Sequence, residues 1–367
     1  MRFIPGCWFV VASLVPLGSS AADPPRRLEI ITPKDDAINA VALNARGDLV
    51  GFEWKEDPET PGVIGQEPFF AARGKPPVRL PRLPSYTSTF PAAVSDSGLV
   101  VGRASKPMSR RVRIKLQNQA FTWTEADGIR GLGAFPDDFA SLASGVSRGG
   151  ETICGITIGN DRVRACVWER EGSGTGLAWR GTPLPQEEPV ASHNVAISDN
   201  GRFVAGLDGG VPVLWSRPAG AGSAWTRRAL GPISSLNPRA VNNAGAVAGV
   251  ILPNDGSTHA AVWTEAKGVV PIPEPAGYNR SEVGAINNLG LVVGMIDGPA
   301  GTPVIPHAFV FEDGQLRIID EGGPNFAAAT TINDAGQVSG NFEKEETPAP
   351  VVGPTRPTPS PAPAPTP

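Results

Sequence analysis

The sequence predicts an all-β chain, a β-propeller of about seven four-stranded blades closed by its N-terminal strand. Three observations lead there: a short pattern recurs seven times, an aromatic residue follows most copies at a similar distance, and the composition suits many short strands joined by turns. The 367 residues include Gly 44 and Pro 39, both above average usage, and no window carries sustained helical periodicity. With 40% hydrophobic residues, 19% charged residues and a formal net charge of -4, the chain has the balance of a soluble globular protein that buries a large core.

The recurring pattern reads AVALNARGDLVG, AVSDSGLVVG, GVSRGGETICG, AISDNGRFVAG, AVNNAGAVAGV, AINNLGLVVG and TINDAGQVSG. A glycine closes it at Gly51, Gly102, Gly155, Gly206, Gly249, Gly294 and Gly340, at intervals of 43 to 53 residues. Periods of this size belong to repeat architectures. Inside each copy an Asn or Ser precedes a Gly by three residues: Asn44/Gly47, Ser95/Gly98, Ser147/Gly150, Ser198/Gly201, Asn242/Gly245, Asn287/Gly290 and Asn333/Gly336. Asn or Ser opening a type I turn bonds its own backbone, and Gly at the fourth place takes positive φ without steric cost. Each copy is therefore a strand, a tight turn and a second strand.

A third strand follows in QAFTW, RACVW, PVLW, HAAVW and HAFVF, ending at Trp123, Trp168, Trp215, Trp263 and Phe311. A fourth comes after another turn, as in GIRGLG, GVVPIP and GQLRII. A four-stranded meander of about 45 residues is one propeller blade, and stacking such meanders around a ring buries both faces of each. In that setting the aromatics read as packing between sheets rather than as sugar-stacking platforms.

The seventh copy lacks an aromatic third strand, whereas RRLEIITP near the N-terminus resembles the fourth strand GQLRIIDEG. Residues 27 to 33 are therefore expected to complete the last blade. Ahead of them, Arg2, an apolar run from Phe3 to Leu17 and small residues with Ser20 and Ala22 at the -3 and -1 places read as a signal peptide. The apolar run is short for a membrane span. The chain thus divides into a signal peptide at 1–22, a repeat propeller at 27–343 and a Pro-rich disordered tail at 344–367. The expected location is extracellular or periplasmic.

The turn motif AINNLGLVVG followed by HAFVFEDG resembles the HAF-type extracellular repeat proteins, over roughly residues 36 to 342. The His-Ala-Phe is intact at His307, Ala308 and Phe309, and Gln119 and Arg164 replace the His in two other copies. The resemblance implies an exported, mostly bacterial family without assigned biochemistry, and it brings no catalytic residues.

Candidate chemistry is sparse. GVSRG at 145–149 matches Gly-x-Ser-x-Gly, yet it is the third copy of the repeat turn rather than a strand-to-helix elbow. His193, His259 and His307 form no metal-ligand spacing, so neither a metal nor a cofactor is expected. Asp137 with Asp138, and Glu187 with Glu188, are adjacent acids that point apart on a strand or sit in a loop.

Two features stand out from the repeat. Between Gly102 and Ala120 an insertion carries Lys106, Arg110, Arg111, Arg113 and Lys115, and alternation in RVRIKL suggests a hairpin arm with the cations of that run on one face, able to meet an anionic surface. Cys154 and Cys166 both lie in the third copy, and a three-residue loop at Gly159, Asn160 and Asp161 would set them opposite each other for a disulfide. The favoured function is an exported, non-enzymatic, monomeric propeller that binds a protein, an anionic polysaccharide or another cell-surface ligand. Nucleic acid and a membrane span are not expected. The alternative is a propeller hydrolase or lyase acting on polysaccharide, which would need two carboxylates converging within about 10 Å in a deep channel.

Overall fold

All seven repeat turns close alike. The Gly N–H donates to the Asn or Ser carbonyl three residues back at 2.9 to 3.2 Å, and the seven glycines have φ between 67° and 86°. That conformation disfavours any L side chain, which accounts for glycine in every copy. In the Asn copies the side chain does two jobs. Asn287 Oδ1 accepts the N–H groups of Leu289 and Leu291 in its own turn, while its Nδ2 donates to the Asn333 carbonyl of the next sheet at 3.1 Å.

The structure is a computed structural model and describes residues 29–30, 38–56, 64–106, 118–172, 178–187, 195–219, 223–297, 306–319 and 327–342. The signal segment, the Pro-rich tail and Arg110, Arg111, Arg113 and Lys115 lie outside them. Six antiparallel four-stranded sheets, each in chain order, occupy residues 38–79, 88–131, 138–183, 196–229, 237–271 and 281–318. These are six blades of a β-propeller, and no helix is present among the described residues. Among these residues, therefore, no helix is long and apolar enough to cross a membrane.

A seventh sheet has three strands in the order Glu29–Ile30, Gln337–Phe342, Ala327–Ile332. It lies beside the first blade, with Asn333 Nδ2 donating to the Asn44 carbonyl at 3.0 Å and Thr330 Oγ1 to the Ala40 carbonyl at 3.3 Å. The N-terminal strand differs from the expected fourth strand: it pairs directly with Gln337–Phe342, in parallel, Glu29 opposite Gln337 and Ile30 opposite Val338. Its direction is still that of a fourth strand. Among the described residues this copy has no third strand, so the ladder edge taken by Glu29–Ile30 is that of the second strand.

The closing glycine has a physical cause that the repeat pattern alone does not display. Six inner strands carry a β-bulge, skipping Val41, Ala92, Ser144, Arg239, Gly284 and Thr330 in the register. The bulge pushes a carbonyl against the second strand. A Cβ on Gly51 would meet the Asn39 oxygen at 2.1 Å, one on Gly155 the Leu142 oxygen at 2.0 Å and one on Gly294 the Glu282 oxygen at 1.9 Å. Only a residue without Cβ fits beneath the bulge.

Apolar clusters fill the seams between blades. Val50, Phe70, Val100, Phe121 and Trp123 pack between the first and second blades; Cys154, Val204, Val213 and Trp215 pack between the third and fourth. Trp123, Trp168, Trp215 and Trp263 are all buried, so they pack as expected from their shared blade position, each worth about 2–3 kcal/mol of burial.

The disulfide is corrected by the register. The loop between the second and third strands of the third blade has two residues, Asn160 and Asp161, closed by Gly159 N donating to the Arg162 carbonyl at 2.8 Å. Cys154 then faces Val167, and Cys166 faces Gly155. A slip of one residue turns a side chain to the other face of a sheet. Cys154 accordingly lies in the seam toward the fourth blade and Cys166 in the seam toward the second. Both are free, buried thiols.

Candidate functional site

The turns meet around the propeller axis, where the second residue of each faces its counterparts: Ala45, Asp96, Arg148, Asp199, Asn243, Asn288 and Asp334. A girdle of hydrogen bonds runs from turn to turn. Ala45 N donates to Asp96 Oδ1 at 2.9 Å, Asp96 N to the Arg148 carbonyl and Arg148 N to the Asp199 carbonyl at 2.8 Å. Asn200 N donates to Asn243 Oδ1 at 2.7 Å, Asn243 N to Asn288 Oδ1 and Asn288 N to Asp334 Oδ1 at 2.8 Å.

Arg148 stands at the centre. Its Nη2 is 2.6 Å from both Asp199 Oδ2 and Asp334 Oδ2, and its Nε is 3.9 Å from Asp96 Oδ2. Asn288 Nδ2 bonds the same two oxygens at 2.8 and 2.9 Å. Burial would raise the Asp334 carboxyl, but hydrogen bonds from Asn288 and Arg148 outweigh it and hold this acid below the usual range. Burial likewise opposes the Arg148 charge, and Asp334 and Asp199 more than restore it. Carboxylates thus converge on the axis, but they converge on a guanidinium, and Asp334 is held below its usual range by it and by Asn288. The space beneath them is only about 70 Å³.

Three larger concavities are open. On the turn rim, between the third and fourth blades, a groove of about 740 Å³ is lined by Glu151, Arg180 and Arg202. Its floor is Arg217, which bonds Glu169, Thr152 Oγ1 at 2.9 Å and the Gly201 carbonyl at 3.1 Å, and lies 4.6 Å over Trp225. Toward the far rim the channel widens to about 400 Å³ between Ser144, Arg239, Glu282 and Thr330. On the far rim, between the first and second blades, a third groove of about 880 Å³ includes Phe52, Trp54 and Phe90.

A chain of polar contacts at His259 has the outline of a nucleophile relay. His259 Nε2 is 2.9 Å from Ser257 Oγ, and its Nδ1 is 2.9 Å from Glu274 Oε1, which also accepts from Ser281 Oγ at 2.5 Å. The Ser257 environment argues against acyl transfer. Asp255 Oδ1 takes both the Ser257 hydroxyl at 2.6 Å and the Ser257 N–H at 2.9 Å. A carboxylate in that place would repel the oxyanion that such a reaction develops, where donors are required.

The residues singled out from sequence fall as follows. Lys106 Nζ lies 4.8 Å over the Tyr86 ring on the far rim. Ser147 is a turn residue whose Oγ accepts the Thr152 N–H at 3.0 Å. Asp138 has a fully buried side chain held by Arg162 and Arg164, while Asp137 is 88% exposed, so the two point apart. Among the described residues no group of His, Cys, Asp and Glu is placed to hold a metal. Sequence reasoning passes over the axial ring because the second turn position varies. Its signal is chemical: six of the seven second residues are Asp, Asn or Arg.

No family model and no curated protein matches the chain. Among solved structures, a puromycin hydrolase aligns with a TM-score of 0.50 at 13% identity, over 78% of this chain and 46% of its own. Prolyl oligopeptidase B from Galerina marginata aligns with a TM-score of 0.51 at 10% identity, over 82% and 45%. TolB from Acinetobacter baumannii aligns with a TM-score of 0.43 at 12% identity, over 75% and 63%. The chain spans less than two thirds of each of these structures, and at such identities the first two likenesses are of fold alone, that of a β-propeller.

Proposed function

We propose that this protein is an exported, non-enzymatic propeller that binds an acidic polymer at the cell surface through its rim. The axial arrangement is the observation that supports this. Paired-acid glycoside hydrolysis needs one carboxyl kept protonated, whereas Asp334 is held ionised against Arg148. The axial mouth is filled by the protein's own ion pairs, and grooves remain for a ligand. Export rests on residues 1–22 and on the resemblance to HAF-type repeat proteins.

The basic arm supplies the electrostatic part. The full chain is expected to be retained on an anionic matrix at low ionic strength, and neutralising Lys106, Arg110, Arg111, Arg113 and Lys115 should release it. Wild-type protein that flows through the matrix at low salt would end the acidic-polymer reading.

The same reading takes the ring as seven blades closed by residues 27 to 33. Deleting residues 23 to 34 should lower the unfolding midpoint of the whole domain. An unchanged cooperative transition would separate the N-terminal strand from closure.

A further inference from the structure

The far-rim groove between the first and second blades has a chemistry of its own. Strand Leu49–Glu56 places Val50, Phe52 and Trp54 on the face toward the second blade, by the two-residue period of a strand. Val50 and Phe52 are buried in the seam, and Phe90 covers Phe52 with ring centroids 5.9 Å apart. The second blade stops short of Trp54, which is 46% exposed. An indole face is left on the wall of a groove of about 880 Å³, within the size range of sites for small organic ligands.

Cations occur along this groove and its rim on a protein of net charge -4. Arg79 and Arg82 line the groove. Arg79 is bonded to Glu67 at 2.6 Å and still 56% exposed; Arg82 is exposed, with no ion pair among the described residues. Arg103 lies 4.6 Å over Phe90, and Lys106, where the basic arm departs, lies over Tyr86 on the same rim. Gln66 and Ser88 add uncharged donors and acceptors to the lining.

We propose that this groove is the binding site for a carboxylate-bearing polysaccharide, a polyuronate. One pyranose ring lies against Trp54 with its C–H face on the indole. Its carboxylate meets the planar guanidinium of Arg82, with Arg79 beside it, and its hydroxyls meet Gln66 and Ser88. The combination selects the ligand class. Guanidinium groups match carboxylates with paired donors, and a polyanion without sugar rings would draw on the arginines but not on the indole. The inference rests on the acidic-polymer reading above and adds the place and the sugar.

The test uses the full chain and three probes: oligogalacturonate, a neutral galactose oligosaccharide, and polyglutamate. Calorimetric titration should show binding of oligogalacturonate and none of the neutral sugar. Trp54→Ala should weaken oligogalacturonate about tenfold, the size of a lost aromatic contact, and leave polyglutamate unchanged, while Trp54→Phe retains most of the affinity. Arg82→Gln should weaken oligogalacturonate and flatten its salt dependence. Both side chains are exposed, and unchanged thermal melts verify that the variants fold. Oligogalacturonate binding indifferent to Trp54→Ala and Arg82→Gln would overturn this site while leaving the acidic-polymer reading intact. Failure of every acidic probe to bind would remove both.

Discussion

Arg148 of the third blade and Asp334 of the last sheet, 186 residues apart in sequence, meet across the propeller axis at 2.6 Å. The pair joins opposite sides of the ring, and Asn288 and Asp199 complete it. Replacing Arg148 by Gln leaves three acids facing one another without a cation. Both partners are partly exposed, so solvent screening limits the loss to about 1 kcal/mol. Urea unfolding should show that decrease, and Asp334→Asn in the Arg148→Gln background should recover part of it.

The same contact predicts a pH dependence. Asp334 is held below the ordinary carboxylate range in the fold, so the folded state takes up this proton less readily than the unfolded chain. Its contribution is complete above the unfolded value of about 4 and is lost as pH falls through the lower folded value. Asp138 acts in the same direction: burial raises it, and the guanidiniums of Arg164 and Arg162 bonded to it help bring it below the usual carboxylate value. Stability measured from pH 6 down to pH 2 should fall steeply below about pH 4, and less steeply in Asp334→Asn.

Two glycines of one repeat should respond very differently to alanine. Gly290 closes its turn at φ 86° with open space where a Cβ would go, so Gly290→Ala costs backbone strain alone, about 1–2 kcal/mol. At Gly294 the same methyl would stand 1.9 Å from the Glu282 oxygen and 2.9 Å from Phe309 Cε1. Gly294→Ala must displace the bulge and should cost about 3 kcal/mol or more. Equal losses in thermal melts would remove the bulge as the reason for the closing glycine.

Unreduced, denatured protein should yield alkylatable thiols at both Cys154 and Cys166. Burial pushes the Cys154 thiol up to about 12 and Cys166 well above its usual value, so native protein should react with neither iodoacetamide nor a maleimide at neutral pH. An intact mass short by two hydrogens would mean that the third blade adopts a different register.

Ser257 should stay unmodified by a fluorophosphonate probe, because its hydroxyl is committed to Asp255. Peptide mapping of treated protein gives the answer. A phosphonyl adduct on Ser257 would convert the Glu274, His259 and Ser257 chain into a working relay and make the protein an enzyme.

Local chemistry by itself determined the repeating part of this protein. Asn or Ser with Gly at the fourth place encodes the same turn wherever it occurs, because side-chain length and φ act within four residues. Alternating apolar runs then encode strands, and the period encodes blades. What the sequence does not carry is the meeting of distant copies. The ring of second turn residues looks variable in line, and it becomes an ion-paired plug only when closure brings Arg148 to Asp199 and Asp334. Cys154 and Cys166 share one blade, and a single residue of loop length decided that they face different neighbours. Residues 27 to 33 read in sequence as a fourth strand, whereas Glu29–Ile30 pairs in parallel with the second strand Gln337–Phe342, a place set by the ladder edge that the last copy offers. Trp54 stands on the alternating second strand Leu49–Glu56 in phase with the buried Val50 and Phe52, and its 46% exposure appears only once the second blade is in place beside it. Turns and strands answer to neighbours along the chain, whereas burial, ion pairing and access answer to whatever the closed ring places opposite.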